Sequence, residues 1–479
     1  MIYNQFIEVE ANLALLPCHL HSRPLANIID FDDVWWQRAE EAINTTIQAY
    51  DLIPKAIINV LICISTHIAE VNEVWRRRAE EAMQTTEQYY DPNPVAVANH
   101  LNMKVQDLSK QAIAKRGLLN AESGQCEATN PIDKCWRCKE NWAEDRQALA
   151  GCALGFGSKA TGGKGGKIYE VTDPSDNDME NPKVGTLRHA VIQKEPLWII
   201  FAKDMNIKLQ QELIVQGSKT IDGRGAKVHI ANGAGIMLQF VKNVIIHGIH
   251  IHNISPCSGG MIRDSVDHVG KRGQSDGDAV SIFGSSNIWL DHLTLSQAHD
   301  GLIDAIQAST AITISNCHLS NHDKAILLGA SDTFTEDKKM QVTVAFNRFD
   351  KGLVQRMPCV RFGFAHVVNN DYNQWEMYAI GGLQGPTILS QGNRFFASNN
   401  QNTKEVTKRM NCSPEEGKSW IWRSEGDVFL NGAYFNSSGD PKKQIQYQMD
   451  NVIKPESGTE VERITKFAGA LVCKPGQEC

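Results

Sequence analysis

The sequence predicts an all-β protein, a right-handed parallel β-helix, with a short helical N-terminal extension. From about residue 195 onward, β-rich runs of four to six residues alternate with turn residues. Six of these runs share one pattern of apolar and polar residues, and they end at Ile251, Leu295, Leu319, Phe349, Tyr372 and Phe395. The spacings are 44, 24, 30, 23 and 23 residues, so one coil takes about 22–24 residues and the first gap holds two coils. A repeat of this length is typical of a stacked architecture.

Three asparagines recur at the spacing of one coil. Asn347, Asn370 and Asn393 are each 23 residues apart. In stacked coils their side chains would align and form a hydrogen-bonded ladder. The alternative fold, a sandwich of hairpins, is disfavoured because two-residue turns of the Asn-Gly type are scarce.

Composition and charge exclude several classes of protein. The 479 residues are 42% hydrophobic and 22% charged, which is typical of a globular protein rather than a disordered or collagen-like chain. The 48 Lys and Arg residues against 55 Asp and Glu residues give a net charge of −7, which disfavours a general nucleic-acid binder. The longest apolar run, near residues 56–64, is far shorter than the roughly 20 residues of a membrane span.

The N-terminal region contains an internal repeat. Residues 33–51 recur at 73–91 with 12 identities in 19 positions, and both copies have the apolar spacing of a helix. Between them, residues 52–65 resemble a signal peptide, although a buried helix explains the same run. We therefore expect the mature protein to begin near His67. The predicted regions are a partly duplicated extension with an internal signal-like segment (1–66), a helical region (67–120) and the β-helix (121–479).

Cysteines and glycosylation sequons favour an oxidising compartment weakly. Four of the 12 cysteines lie within 27 residues, at Cys126, Cys135, Cys138 and Cys152. Cys135 and Cys138 have the spacing of half a zinc site, but no second ligand pair stands at a suitable distance. A local disulfide or free thiols are therefore favoured. The sequons begin at Asn44, Asn253, Asn411 and Asn436.

Four aspartates form the candidate metal site. Asp276 and Asp278 stand at i and i+2, so in an extended strand both carboxylates would point to one face. Asp300 and Asp304 follow one coil later, because residues 276 and 300 are 24 apart. Converging carboxylates repel one another unless a cation neutralises them, and ligands that are all oxygen favour Ca²⁺ over Zn²⁺. The alternative is a solvated acidic face.

Basic residues follow one to three coils beyond the aspartates, at Lys324, Arg356 and Arg361. Cations beside bound calcium would suit a polymer that carries carboxylates. The alternative is a set of surface salt bridges. A second cluster is a histidine trio at 247, 250 and 252, but stacking of histidines on a coil face explains it, since no third zinc ligand is evident.

Several longer runs are distinctive: NPIDKCWRCKENW (130–142), GTLRHAVIQKEPLWIIF (185–201), SDGDAVSIFGSSNIWLDH (275–292) and VVNNDYNQWEMYAIGG (367–382). The most specific motifs are W-x-D-H at 289–292 and R-M-P at 356–358. Together they resemble plant pectate lyases of polysaccharide lyase family 1, a group related to pollen allergens of the ragweed and cedar type. The similarity extends over about residues 67–479.

The resemblance implies a pectin-lyase-like β-helix and a calcium-dependent enzyme, secreted to the plant cell wall. Such an enzyme cleaves α-1,4-polygalacturonate by β-elimination and leaves a 4,5-unsaturated oligogalacturonide. The residues that the resemblance implies are Asp276, Asp278, Asp300 and Asp304 as calcium ligands, Arg356 as the base, and Lys324 and Arg361 as substrate-binding groups. An arginine base needs a lowered pKa, so an alkaline optimum follows. We expect a monomer with no nucleic-acid partner.

The sequence departs from the family beside the expected base. Many plant members read R-M-P-R-C-R, whereas this chain has Cys359 and Val360 between the proline and Arg361. The difference leaves open a catalytically weak or inactive, allergen-like protein that binds pectin. A hydrolase of the polygalacturonase type is disfavoured, because its N-T-D, D-D and G-H-G clusters are not found in the sequence.

Overall fold

The computed structural model describes residues 73–88, 127–440 and 452–479, which all belong to one unit spanning 62–479. The region 1–66, the signal-like segment and most of 67–120 lie outside the described residues. The helices are α1 (73–87), α2 (Pro131–Trp136), α3 (Leu187–Val191), α4 (Pro414–Ser419) and α5 (Val461–Ile464), with 3₁₀-helices at Arg146–Cys152, Phe156–Lys159, Thr335–Lys339, Gln401–Thr403 and Gly458–Glu460. Among the described residues, no helix is long and apolar enough to cross a membrane.

The strands are short, as the turn-separated runs predict. In chain order they are β1 (Lys167–Val171), β2 (Leu197–Phe201), β3 (Met205–Ile207), β4 (Leu213–Ile214), β5 (Lys219–Asp222), β6 (Val228–Ala231), β7 (Ile236–Gln239), β8 (Lys242–His247), β9 (His250–His252), β10 (Gly260–Ser265), β11 (His268–Arg272), β12 (Val280–Phe283), β13 (Ser286–Asp291), β14 (Thr294–Ser296) and β15 (Gly301–Ile306). They continue with β16 (Thr310–Ser315), β17 (His318–Ser320), β18 (His322–Leu328), β19 (Gln341–Ala345), β20 (Arg348–Phe349), β21 (Leu353–Gln355), β22 (Cys359–Arg361), β23 (Phe364–Val368), β24 (Asp371–Asn373), β25 (Ile380–Leu383), β26 (Thr387–Gln391), β27 (Arg394–Phe396), β28 (Thr407–Arg409), β29 (Trp422–Glu425) and β30 (Val428–Leu430).

Long parallel sheets run along the described part of the chain. Sheet A has the order β1-β2-β5-β8-β13-β16-β19-β23-β26-β29, sheet B the order β4-β7-β12-β15-β18-β22-β25-β28, and sheet C the order β3-β6-β9-β14-β17-β20-β24-β27-β30. Successive coils pair strand by strand: β12 with β15, β13 with β16 and β14 with β17, all parallel. The hairpin of β10 and β11 is antiparallel. The predicted right-handed parallel β-helix is therefore confirmed, and the sandwich of hairpins is wrong.

Aliphatic residues stack in rows through the interior. On sheet A, Ile288 pairs with Val244 and with Ile312, and Ile312 pairs with Val342. All four are 0% exposed. Burial of such a side chain contributes roughly 1.5–3 kcal/mol, so each coil is stabilised chiefly by its two neighbours.

The predicted asparagine ladder is also confirmed. Asn347 Nδ2 donates to Asn370 Oδ1 at 2.9 Å, and Asn370 Nδ2 donates to Asn393 Oδ1 at 3.0 Å. Beside the ladder, the rings of Phe349 and Tyr372 stack with centroids 4.7 Å apart. The ladder fixes the register of the coil between residues 347 and 370, which contains the R-M-P motif.

The W-x-D-H motif lies where α2 and the C-terminal segment dock on sheet A. His292 is 0% exposed. Its Nε2 lies 2.8 Å from Asp133 Oδ1 in α2, and its Nδ1 lies 2.8 Å from the carbonyl oxygen of Gly469. These contacts give the motif a structural role.

Helix α1, the second copy of the N-terminal repeat, packs against the β10–β11 hairpin. Arg78 Nη1 lies 2.9 Å from Oδ1 of the buried Asp264. The Trp75 ring lies 6.2 Å from the ring of Phe240. The helical spacing of this copy is thereby confirmed, while the first copy lies outside the described residues.

Candidate active site

One row of side chains on the outer face of sheet B organises the site. Asp304 of β15 pairs in register with Ser281 of β12 on one side and with Leu327 of β18 on the other. Leu327 pairs in turn with Cys359 of β22. Ile303, the residue before Asp304, is 0% exposed in the core. Because side chains alternate along a strand, Asp304 and its partners face away from the core.

Three carboxylates converge beside this outward row. Asp276, Asp278 and Asp300 each place an oxygen within 4.8 Å of the others. The expected convergence is found. The expectation that Asp276 and Asp278 lie in a strand is wrong, because β12 begins only at Val280. Gly277 has a φ of +96° and turns the chain between the first two aspartates. Glycine adopts this left-handed conformation without strain.

Asp278 and Asp304 form the buried part of the acidic cluster. Asp278 Oδ1 accepts a hydrogen bond from Gly301 N–H at 2.6 Å, and its Oδ2 accepts one from Ser281 Oγ at 3.1 Å. Asp304 Oδ1 is buried and has no hydrogen-bond partner among the described residues. A Cβ on Gly301 would lie 2.2 Å from Asp304 Oδ1 and 3.0 Å from Asp278 Oδ1. The two oxygens therefore face the same small space, which glycine leaves open.

The carboxylates raise one another's pKa. Burial, reinforced by the charge of Asp276, raises the pKa of Asp278 to about 7. Burial and the charge of Asp278 hold the pKa of Asp304 well above its ordinary value, against the opposing charge of Arg356. A cation between these groups would relieve the repulsion. The donors are all oxygens and one buried acceptor lacks a partner, so the residues fit a hard cation such as Ca²⁺.

Lys324 and Arg356 follow the acidic cluster along sheet B, in the predicted order. Lys324 Nζ lies 2.5 Å from Asp300 Oδ1. Arg356 has a φ of +65°, a left-handed conformation that is uncommon for a residue with a side chain. Its carbonyl oxygen accepts a hydrogen bond from Ile326 N–H at 2.6 Å, which ties it to β18. Such conformations persist where the surroundings enforce them, and they cluster at functional sites.

Arg361, at the end of β22, is engaged by a neighbouring loop. Its Nε lies 2.6 Å from Asp332 Oδ1, and its Nη1 donates to the carbonyl oxygen of Gly329. Its side chain is 12% exposed. Arg361 thus lies on the strand that carries Cys359, but its partners are Asp332 and Gly329 rather than the acidic cluster. Its substrate-binding role stays a prediction.

Two further residues of the site were not predicted. His322 Nε2 lies 2.5 Å from the carbonyl oxygen of Asp300. It stands two residues before Lys324 on β18, so strand alternation was a usable signal. Tyr378 is buried against Gly381. It precedes β25, where no periodic pattern indicates its direction.

The histidine trio does not converge. His247 is buried, and its Nδ1 lies 2.9 Å from Asp291 Oδ2. His250 and His252 lie on sheet C, where the ring of His250 stacks 4.4 Å from the ring of His229. His252 Nε2 lies 2.9 Å from His229 Nδ1. The stacking explanation is therefore the better one.

Comparison with known protein families identifies the family of this chain. A family model described as "Pectate lyase" matches residues 143–417. The chain belongs to the pectate lyase family. It is 60% identical over 358 residues to probable pectate lyase 7 of Arabidopsis thaliana, a match that covers 74% of this chain and 75% of that protein. It is 58% identical over 381 residues to a pectate lyase of Lilium longiflorum, covering 80% of this chain and 88% of that protein.

A solved structure supports both the family and the fold. The crystal structure of Jun a 1, the major allergen from cedar pollen, matches with a TM-score of 0.70 and 48% identity, covering 71% of this chain and 99% of that chain. The chain is therefore an enzyme of the plant pectate lyase family, and its function is the degradation of pectate. A second family model, "Pectate lyase, N terminus", matches both 27–61 and 67–120, the regions of the internal repeat.

Most cysteines in the described part of this pectate lyase are disulfide-bonded. Cys135 is bonded to Cys152, and Cys138 is also disulfide-bonded, so the local-disulfide prediction is confirmed over the zinc alternative. Cys359, at the position of the family departure, is a free thiol that is 2% exposed. Burial raises the pKa of this thiol. The departure thus puts a small neutral group beside Arg356.

Proposed function

We propose that this enzyme cleaves polygalacturonate by calcium-dependent β-elimination. The observation that carries the proposal is the convergence of Asp276, Asp278 and Asp300 within 4.8 Å, beside the outward row of sheet B. Lys324 and Arg356 follow on the same sheet. Carboxylates that hold a cation, followed by positive side chains, are complementary to a chain of uronates.

The four aspartates are the proposed calcium ligands. Asp304 Oδ1, a buried acceptor without a hydrogen-bond partner among the described residues, is free to coordinate. Calcium held here and shared with a uronate carboxylate would withdraw charge and make the C5 proton more acidic. The binding of calcium is thus proposed from the donor set rather than from any single residue.

Arg356 is the proposed base. It takes the proton from C5, the electron pair forms the C4=C5 double bond, and the C4–O bond breaks. The departing oxygen takes a proton and becomes the hydroxyl of the new reducing end. A guanidinium is ordinarily protonated. Only a neutral guanidine can take the proton, so we expect an alkaline optimum.

Lys324 and Arg361 are the proposed substrate-binding groups. The side chain of Lys324 is 32% exposed. Its ammonium group pairs with Asp300 and so lies at the edge of the acidic cluster. There it would bind the uronate carboxylate and stabilise negative charge as the proton leaves. Arg361 would have to exchange or share its contact with Asp332 to reach the substrate.

We further propose secretion to the plant cell wall. Disulfides join Cys135 to Cys152 and Cys473 to Cys479, and such bonds persist in oxidising compartments. The sequon asparagines at 253, 411 and 436 are exposed, as glycosylation requires.

A matched pair of arginine variants tests the proposal. Arg356→Ala should reduce the release of unsaturated product from polygalacturonate to a small residual rate. Arg348→Ala should retain full release, because Arg348 lies on sheet C and pairs with Asp350 at 3.2 Å. Calorimetric titration should show calcium binding that Asp304→Asn weakens. Undiminished turnover in Arg356→Ala would contradict the proposal. Calcium binding without turnover, on polygalacturonate and on methylated pectin, would favour the pectin-binding alternative.

A further inference from the structure

Tyr378 lies on the outward side of sheet B, close to Arg356. It is 2% exposed, although the preceding Met377 is 53% exposed. Its ring lies over Gly381, where a Cβ would be 2.5 Å from Tyr378 Cε2 and 3.1 Å from the hydroxyl oxygen. Gly381 pairs in register with Cys359. The missing side chain of Gly381 therefore lets the phenol ring lie flat on the outward row.

The backbone and side chains of this region hold Tyr378 and Arg356 together. Met357 N–H donates to the carbonyl oxygen of Ala379 at 2.7 Å, so the residues that follow Arg356 and Tyr378 are bonded to each other. The Tyr378 hydroxyl oxygen lies 3.1 Å from where a Cβ on Gly381, the register partner of Cys359, would stand, and the positive charge of Arg356 acts on this hydroxyl. The left-handed backbone of Arg356 starts its side chain in one direction, and Tyr378 lies on the coil that pairs with the strand after Arg356.

We propose that Tyr378 is a positioning residue, whose hydroxyl orients the Arg356 guanidinium for proton transfer. This inference rests on the proposed role of Arg356 as the base. A guanidinium offers five N–H donors on a long side chain, and only one nitrogen at a time can face C5 of the sugar. A fixed hydroxyl that accepts from one of these donors selects the orientation. The Cys359 thiol lies next to that hydroxyl and limits its movement.

Tyr378→Phe tests the role because it removes the hydroxyl and keeps the ring. We expect kcat to fall about 10- to 100-fold with KM changed less than about twofold, since misplacement of a reacting group by about 1 Å costs up to this factor. The matched control is Tyr169→Phe, which removes a hydroxyl that accepts from Gly185 N–H at 2.7 Å in the first coil. It should leave kcat and KM unchanged.

Gly381→Ala gives a second, independent perturbation. It keeps the hydroxyl but forces the ring to move, so kcat should fall in the same direction. Thermal unfolding of each variant separates this effect from a loss of fold, because a positioning role predicts a loss of kcat larger than the shift in melting temperature explains. A kcat within about twofold of the wild type in Tyr378→Phe would overturn the inference.

A double-mutant comparison separates this inference from the proposed function. If Tyr378 acts through Arg356, adding Tyr378→Phe to Arg356→Ala should reduce the residual rate no further. A further, additive loss would overturn the positioning role. Full activity of Arg356→Ala would instead refute the proposed base. An inactive Arg356→Ala beside a fully active Tyr378→Phe would refute the tyrosine inference alone.

Discussion

Replacement of His292 by glutamine should destabilise the protein in a pH-dependent way. The Nδ1 of His292 lies 2.8 Å from the carbonyl oxygen of Gly469, and its Nε2 lies 2.8 Å from Asp133 Oδ1. Asp133 Oδ2 also accepts from Arg137 Nη1 at 2.9 Å, so both oxygens of this carboxylate act as acceptors. Both partners of the ring only accept, and both ring nitrogens must therefore donate. His292 is thus an imidazolium in the folded protein.

The size of the effect follows from the burial of this ion pair. His292 and Asp133 are both 0% exposed. Loss of one partner of a buried pair costs about 3–5 kcal/mol. With an unfolding entropy of about 2.1 cal/mol/K per residue over roughly 350 residues, the melting temperature should fall by roughly 4–7 °C.

The pH dependence has a definite sign. Burial opposes the charge, but the carboxylates of Asp133 and Asp291 raise the pKa of His292 above its usual value. A raised pKa in the folded state contributes stability that is complete below the unfolded pKa of about 6.5 and is lost as pH rises through the folded pKa. The difference between wild type and His292→Gln should therefore be largest below about pH 6.5 and shrink in alkaline solution.

Thermal unfolding followed by circular dichroism, from about pH 6 to 10, measures this difference. His366→Gln is the matched control, because His366 is equally buried and burial lowers its pKa to about 4. The effect of the control substitution should not vary with pH above about 7, where both states are neutral. A difference for His292→Gln that stays constant over the whole range would refute the imidazolium.

Three further predictions concern the site and the scaffold. Gly301→Ala should abolish calcium binding without unfolding the protein, because the new Cβ would lie 2.2 Å from a carboxylate oxygen of the cluster. Calorimetric titration with calcium checks this. Gly273→Ala is the control, because a Cβ on Gly273 would meet no atom within 4 Å. Asn370→Ala should lower the free energy of unfolding, measured by urea denaturation, by about 2–4 kcal/mol. The substitution leaves at least two buried ladder partners without a hydrogen bond, and each unpaired group costs about 1–3 kcal/mol. A loss below about 1 kcal/mol would contradict a stabilising role of the ladder. Cys135→Ser should lower the free energy of unfolding by about 3 kcal/mol, because the bond to Cys152 closes a loop with a sequence separation of 17. The wild type in reducing agent should lose at least as much, because its other disulfides are reduced as well. No loss in the variant would contradict a stabilising disulfide.

The fold was predictable because the coils of a β-helix repeat at a nearly constant spacing along the sequence. Residues that are one coil apart in the sequence lie next to each other in the stack. The spacing of 23 residues equals one coil, so it brings together Asn347, Asn370 and Asn393. The same logic placed Asp300 one coil beyond Asp276. Stacking rows of apolar side chains impose the same spacing on the strands, which is why periodicity alone sufficed for the architecture.

The details of the site were less predictable because they lie in turns. Asp276 and Asp278 converge through the left-handed Gly277 and not through a strand. Arg361 turns towards Asp332, a contact with a loop of the preceding coil. The direction of Tyr378 depends on the space over Gly381, three residues later. Turn conformations depend on such tertiary contacts, and no repeat in the sequence records them.

The new chain end released from polygalacturonate is the most direct test of the proposed reaction. β-Elimination leaves a C4=C5 double bond next to the carboxylate, which absorbs in the ultraviolet, whereas hydrolysis adds water and leaves a saturated end. We predict a rise in ultraviolet absorbance that requires calcium and stops when a chelator is added. New reducing ends without that absorbance, or a rise that persists in chelator, would contradict calcium-dependent elimination.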